Sequence, residues 1–167
     1  MQKRTPLYIL LYLILLTSCQ YDPYAHRFTT TEPEIADLIG TYRFHSQTVN
    51  STIEEFQDEN GEIVTPSIII KENGTFEVIN IPHFKGFLPK YEELVSKKGT
   101  WEITVLGAID VGEKENLKHW GIHLMDLPIE IRGAGLMNKK YPYDIIFTFG
   151  DPDQGDVMIF KKTAIEL

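Results

Sequence analysis

His119 and His123 stand four residues apart, the spacing that places two metal ligands on one face of a helix. Their surroundings are not helical in pattern. Trp120, Ile122 and Leu124 recur at a period of two, so His119, Gly121 and His123 share the opposite side of a strand. That side is expected to face solvent, and no acid stands nearby at a motif spacing. The segment Asp151-Pro152-Asp153-Gln154-Gly155-Asp156 suggests calcium by its carboxylates. An EF-hand loop needs glycine at its sixth position and glutamate at its twelfth; here those positions hold Asp156 and Lys162, and a turn between the last two strands accounts for the segment. Glu54 and Glu55, like Glu92 and Glu93, are adjacent acids that a strand sends to opposite faces instead of pairing them for acid–base work. Ser18, Ser46, Ser51, Ser67 and Ser96 form no Gly-x-Ser-x-Gly elbow. Neither a phosphate loop nor a dinucleotide fingerprint is present. The expectation is a non-enzymatic protein with no catalytic residue, no metal site and no cofactor.

The remaining reactive side chain is the single cysteine, Cys19. Lys3 and Arg4 precede an unbroken apolar run at residues 7–16 (LYILLYLILL), about half the roughly 20 residues a membrane span needs. Leu16-Thr17-Ser18-Cys19 follows. This resembles the bacterial lipobox, in which an aliphatic residue and two small residues precede a cysteine. The resemblance implies cleavage of residues 1–18 as a lipoprotein signal peptide, and a diacylglycerol and an acyl chain on Cys19. One acyl chain holds a protein to a membrane only marginally; three hold it firmly. Gln20 stands where an aspartate would resemble an inner-membrane retention signal, which favours the outer membrane of a bacterial envelope. A lipidated Cys19 leaves the mature chain without a thiol, and so without disulfides, thiol catalysis or thiolate metal sites.

The chain from 19 to 167 has 149 residues, enough for one domain with a real core. Removing residues 1–18 takes Lys3 and Arg4 and no acid, leaving 14 basic against 24 acidic residues, a net charge near −10. That field disfavours nucleic acid as a partner and favours a basic protein.

Residues 20–31 (QYDPYAHRFTTT) read as a polar tether that carries the lipid anchor, reaching about 40 Å when extended. Residues 33–38 form a short helix, with Pro33 at its start and Gly40 beyond its end. After that the period is two. Strands are expected at 41–49, 67–71, 76–81, 100–106, 117–125, 143–149 and 157–161, with one more within 54–65, folded at 59–62. Asn73-Gly74 is a hairpin turn. About eight sequential strands of this kind argue for an all-β, antiparallel sheet with one buried face, enough to close a small barrel. Gly40-Thr41-Tyr42, Gly74-Thr75-Phe76 and Gly99-Thr100-Trp101 each set a glycine, a threonine and an aromatic residue at a strand start.

A short helix followed by Gly40-Thr41-Tyr42 is similar to the start of lipocalin-like domains in bacterial lipoproteins, within the wider calycin group. Tyr42 stands where that family has a tryptophan plugging the closed end of the barrel. The resemblance covers about residues 32–165. No Thr-Asp-Tyr motif is present, only Tyr143-Asp144, and no arginine follows the last strand, where Lys161 and Lys162 are the nearest basic residues. It implies an eight-stranded lipocalin-like barrel over 32–167 that binds a small apolar or amphipathic ligand. Tyr42, Phe76, Trp101 and Trp120 are the inward residues expected to line its pocket. The alternative is an interaction module with a filled core, such as an inhibitor, an immunity-type protein or an envelope-complex subunit, steered to a basic partner. Residues 82–98 (PHFKGFLPKYEELVSKK) read as a long insertion between strands, either a lid or a cap on the core. Residues 127–141 read as a second connection, where Gly133-Ala134-Gly135 allows a mobile or closely packed backbone.

Overall fold

Residues 22–49, 57–109 and 117–163 are described by the structure, a computed structural model. The expected signal peptide and Cys19 lie outside the described residues. A helix α1 (Ile35–Leu38) leads into eight strands: β1 (Gly40–Gln47), β2 (Ser67–Ile70), β3 (Thr75–Lys85), β4 (Lys90–Ile109), β5 (Leu117–Leu124), β6 (Gly133–Met137), β7 (Asp144–Thr148) and β8 (Val157–Lys162). A second short helix, α2 (Ile129–Arg132), sits between β5 and β6. Each strand pairs antiparallel with the next, and β8 pairs with β1, closing the barrel. The all-β, eight-stranded antiparallel barrel with a short N-terminal helix read from the alternating pattern is what the chain forms.

Register carries the alternation inward. Tyr42 lies opposite Ile68, and Ile68 opposite Val78; Ile103 lies opposite Ile122, and Ile122 opposite Ala134; Leu136 lies opposite Ile145, and Ile145 opposite Phe160. These side chains belong to one continuous apolar core, which Leu38 of α1 and Ile131 of α2 also enter.

Three elements differ from the sequence reading. Residues 82–98 are not an insertion but the far half of a hairpin, with β3 running to Lys85, β4 starting at Lys90, and a turn over 86–89. Most residues of β4 before Thr100 are exposed, and several are charged, so no apolar alternation marks them as strand. Gly133–Met137 is a strand whose glycines are places of close packing. A Cβ on Gly135 would stand 2.8 Å from the His119 ring, and one on Gly121 would stand 2.5 Å from the Ala134 carbonyl oxygen. The strand expected within 54–65 is, among the described residues, only a bridge from Gln57 to Ile63 around a turn.

The stretch read as a tether also behaves differently. Pro23 packs against Gly155, residues Ala25–Arg27 form one 3-10 turn, and Phe28 is buried on the outside of the barrel with Met137, Ile146, Val157 and Ile159. Thr29 then joins two strands that have parted. Its N–H donates to Leu136 O at 2.9 Å, and its carbonyl accepts from Trp120 N–H at 3.0 Å. Asn138 N–H donates to Arg27 O at 2.8 Å, and the Thr29 hydroxyl donates to Asn138 O at 2.7 Å. β5 and β6 pair directly only through residues 121–123 and 133–135. The N-terminal segment supplies the next rungs of the ladder, which a purely polar tether would have no reason to do.

Candidate functional site

The inward residues named from the sequence do not share one environment. Tyr42, Phe76 and Trp101 lie in the core cluster, and their polar atoms are already satisfied. The Tyr42 hydroxyl donates to Leu38 O at 2.8 Å, and Trp101 Nε1 donates to Lys71 O at 3.1 Å. Burial, with smaller contributions from Asp144, Tyr141 and Asp37, pushes the Tyr42 phenol far above its ordinary range. Trp120 stands apart. It is half-buried, on the same side of β5 as Ile122 and Leu124, with Lys118 Nζ 5.5 Å from its ring centre. The neighbouring Val105, opposite Trp120 in the register, is exposed.

At the α1 end of the barrel, Lys162 from the end of β8 reaches across the first strand. Its ammonium lies 5.8 Å from the centre of the Tyr42 ring and 5.0 Å from that of Tyr141, and it donates to Asp37 O. Burial holds the Lys162 ammonium below its ordinary range, partly offset by Asp37. The basic side chain thus ties both chain ends of the barrel to α1, a role the sequence offered only as a lysine after the last strand.

His119 faces outward from β5, as the alternation requires, but not into solvent. Phe28 stacks on its ring at 3.8 Å between centres and 7° between planes. Its Nε2 is buried with no hydrogen-bond partner among the described residues. That burial lowers its pKa to about 4. The expectation of an exposed histidine fails because the N-terminal segment covers it. His123 remains on the same side, 3.7 Å from Glu102. Among the described residues, no three His, Cys, Asp or Glu side chains gather as a metal-holding group.

Two polar assemblies were not visible in the spacing. His83, buried near the end of β3, has Nε2 3.2 Å from Glu130 of α2 and Nδ1 3.9 Å from Glu93. The backbone N–H at Glu130 itself, and then His83, hold that carboxyl below its ordinary range. The pair pins α2 to β3. The second assembly is a cleft of about 650 Å³ on the outside of the β3–β4 hairpin. Asp58, Glu59 and Asn60 of the β1–β2 connection line one wall; Asn80, Tyr91, Glu93, Leu94 and Ser96 line the other. Asn80 sits in a bulge of β3 with φ +52°, its N–H held by Ser96 Oγ at 2.9 Å. Asp58 accepts from the N–H groups of Asn60 and Glu62 at 2.9 and 3.0 Å, and these bonds hold its carboxyl below the ordinary range. The cleft therefore carries fixed negative charge on both walls. Such a surface can receive a cationic side chain. No family model, no curated protein and no solved structure matches the chain.

Proposed function

We propose that this is a non-enzymatic lipoprotein of the bacterial envelope, anchored by lipids on Cys19, whose packed barrel acts as a scaffold for binding a basic protein partner. The observation that carries the proposal is the state of the interior. The side chains that would line a ligand pocket, Tyr42, Phe76 and Trp101 among them, pack against one another with their polar atoms satisfied. The recognition surface is then external, and the acidic cleft between the β1–β2 connection and the β3–β4 hairpin suits a lysine- or arginine-bearing segment. The net negative charge of the chain steers the same kind of partner. The lipobox supports the anchor, and Gln20 supports the outer membrane.

Charge reversal tests the partner reading. Cross-linking in envelopes is expected to capture a basic protein at about 0.05 M salt and to lose it near 0.5 M, where screening length falls to a few ångströms. The Asp58→Lys, Glu93→Lys double variant is expected to lose it at both. An empty or salt-insensitive capture contradicts the proposal.

A second reading has one observation in its favour. Trp120 is half-buried beside Lys118, an apolar plate with a cation above it, and could receive an amphipathic anion at the barrel wall. It keeps the lipocalin-like ligand carrier as the competing function.

A further inference from the structure

We propose that the tip of the β3–β4 hairpin enters the phospholipid leaflet to which the chain is anchored, so that the barrel stands with this end against the membrane. The inference rests on the lipidation of Cys19 proposed above and adds an orientation and a contact surface to it.

The first observation is the tip itself. Phe87 and Leu88 are 67% and 65% exposed, in a four-residue turn between two strands. Among the described residues, nothing covers these two large apolar side chains at the point of the hairpin. The first charged residues on either side are cations, Lys85 and Lys90, both exposed. Apolar residues at the point with lysines one step behind suit the boundary between acyl chains and phosphates.

The second observation is where the chain comes from. Asp22 is the first described residue, and Cys19 stands three residues before it in the sequence. Three residues span at most about 10 Å. Pro23 packs on Gly155: a Cβ there would stand 2.8 Å from Pro23 Cγ. Gly155 belongs to the connection between β7 and β8, and so does Gly150. A Cβ on Gly150 would collide with the carbonyl oxygen of Phe87 and stand 3.3 Å from Pro89. One connection thus touches both the point where the chain leaves toward its anchor and the exposed apolar tip. A lipid on Cys19 brings this end of the barrel, and no other, to the bilayer.

Asp151, Asp153 and Asp156 lie in the same connection. They oppose binding to an anionic surface by charge alone. The tip is therefore an aid to an anchored domain, not an independent membrane-binding device.

The test uses the full chain, made in bacterial cells with its own signal segment and reconstituted into vesicles of phosphatidylethanolamine and phosphatidylglycerol. Leu88→Cys carries an environment-sensitive fluorophore at the tip. Glu72→Cys carries the same probe in the β2–β3 turn, at the opposite end of β3. With brominated lipids, the probe at 88 is expected to be quenched at least about threefold more than the probe at 72. Equal quenching at both positions, or none at 88, overturns the proposal. The intact mass of the same protein reports the acyl groups on Cys19 separately. A chain without them refutes the anchor, and with it the tip contact, which depends on an anchored domain. A lipidated chain with an unquenched tip refutes the tip and leaves the anchor standing.

Discussion

Replacing Phe76 by alanine is expected to lower the unfolding free energy by about 3–5 kcal/mol, read from the shift of the denaturation midpoint in urea. Phe76 is 1% exposed, opposite Ile70 on one side and Gly99 on the other. Its ring lies on the bare backbone of Gly99, where a Cβ would stand 2.7 Å from ring atom Cε1. The neighbouring strands are fixed by their ladders, so the space left by the ring cannot close, and a cavity cost adds to the lost burial. A domain of this size holds only about 5–15 kcal/mol in total, so the loss is a large share of it. The same substitution in the wall of an open ligand pocket removes no filled volume and costs little. A loss below about 1 kcal/mol would mean that the Phe76 ring faces empty space.

The second large effect is one of pH. His119 has its pKa lowered from 6.5 in the unfolded chain to about 4 in the folded one, because burial disfavours its charged form. Between those values the unfolded chain holds the proton and the folded chain does not, so stability rises with pH across this window. The contribution is complete above pH 6.5, declines as pH falls, and is gone near pH 4. Allowing for the exposed part of the ring, it amounts to about 2–3 kcal/mol. Phe28→Ala removes the stacked ring, wets His119 and is expected to bring its titration back toward 6.5, flattening the slope. Proton NMR of the His119 ring over pH 3–8 checks both statements. Titration near 6.5 in the unaltered protein would show that the N-terminal segment does not cover it.

His119 also marks the limit of what the sequence could tell. The period of two correctly set it on the outer side of β5, since Trp120, Ile122 and Leu124 alternate cleanly. Nothing in the spacing indicates that a segment some 90 residues earlier lies over it, because that contact depends on a single aromatic, Phe28, in a stretch otherwise polar enough to read as a tether. β1, β5, β7 and β8 were legible for the same reason: large apolar residues recur at every second position along each, although β7 and β8 also bury Ile146, Val157 and Ile159 on their outer face. β6 was hidden because Gly133, Ala134 and Gly135 are small on both faces, glycine there serving to admit the side chains of β4 and β5. The first half of β4 was hidden because exposed, often charged residues dominate it and give no apolar period. The acidic cleft could not be read at all. Asp58, Asn80 and Glu93 are joined only by the fold, through a turn in the β1–β2 connection and a bulge in β3.

We propose that the barrel is filled by its own side chains and works through its surface. Native mass spectrometry of residues 20–167, exported to the periplasm without the lipid anchor, tests it most directly. The expected result is the bare protein mass, with a thermal midpoint unmoved by fatty acids or lysolipids. A reproducible added mass that disappears on denaturation, together with a raised midpoint, would contradict it and make the barrel a ligand carrier.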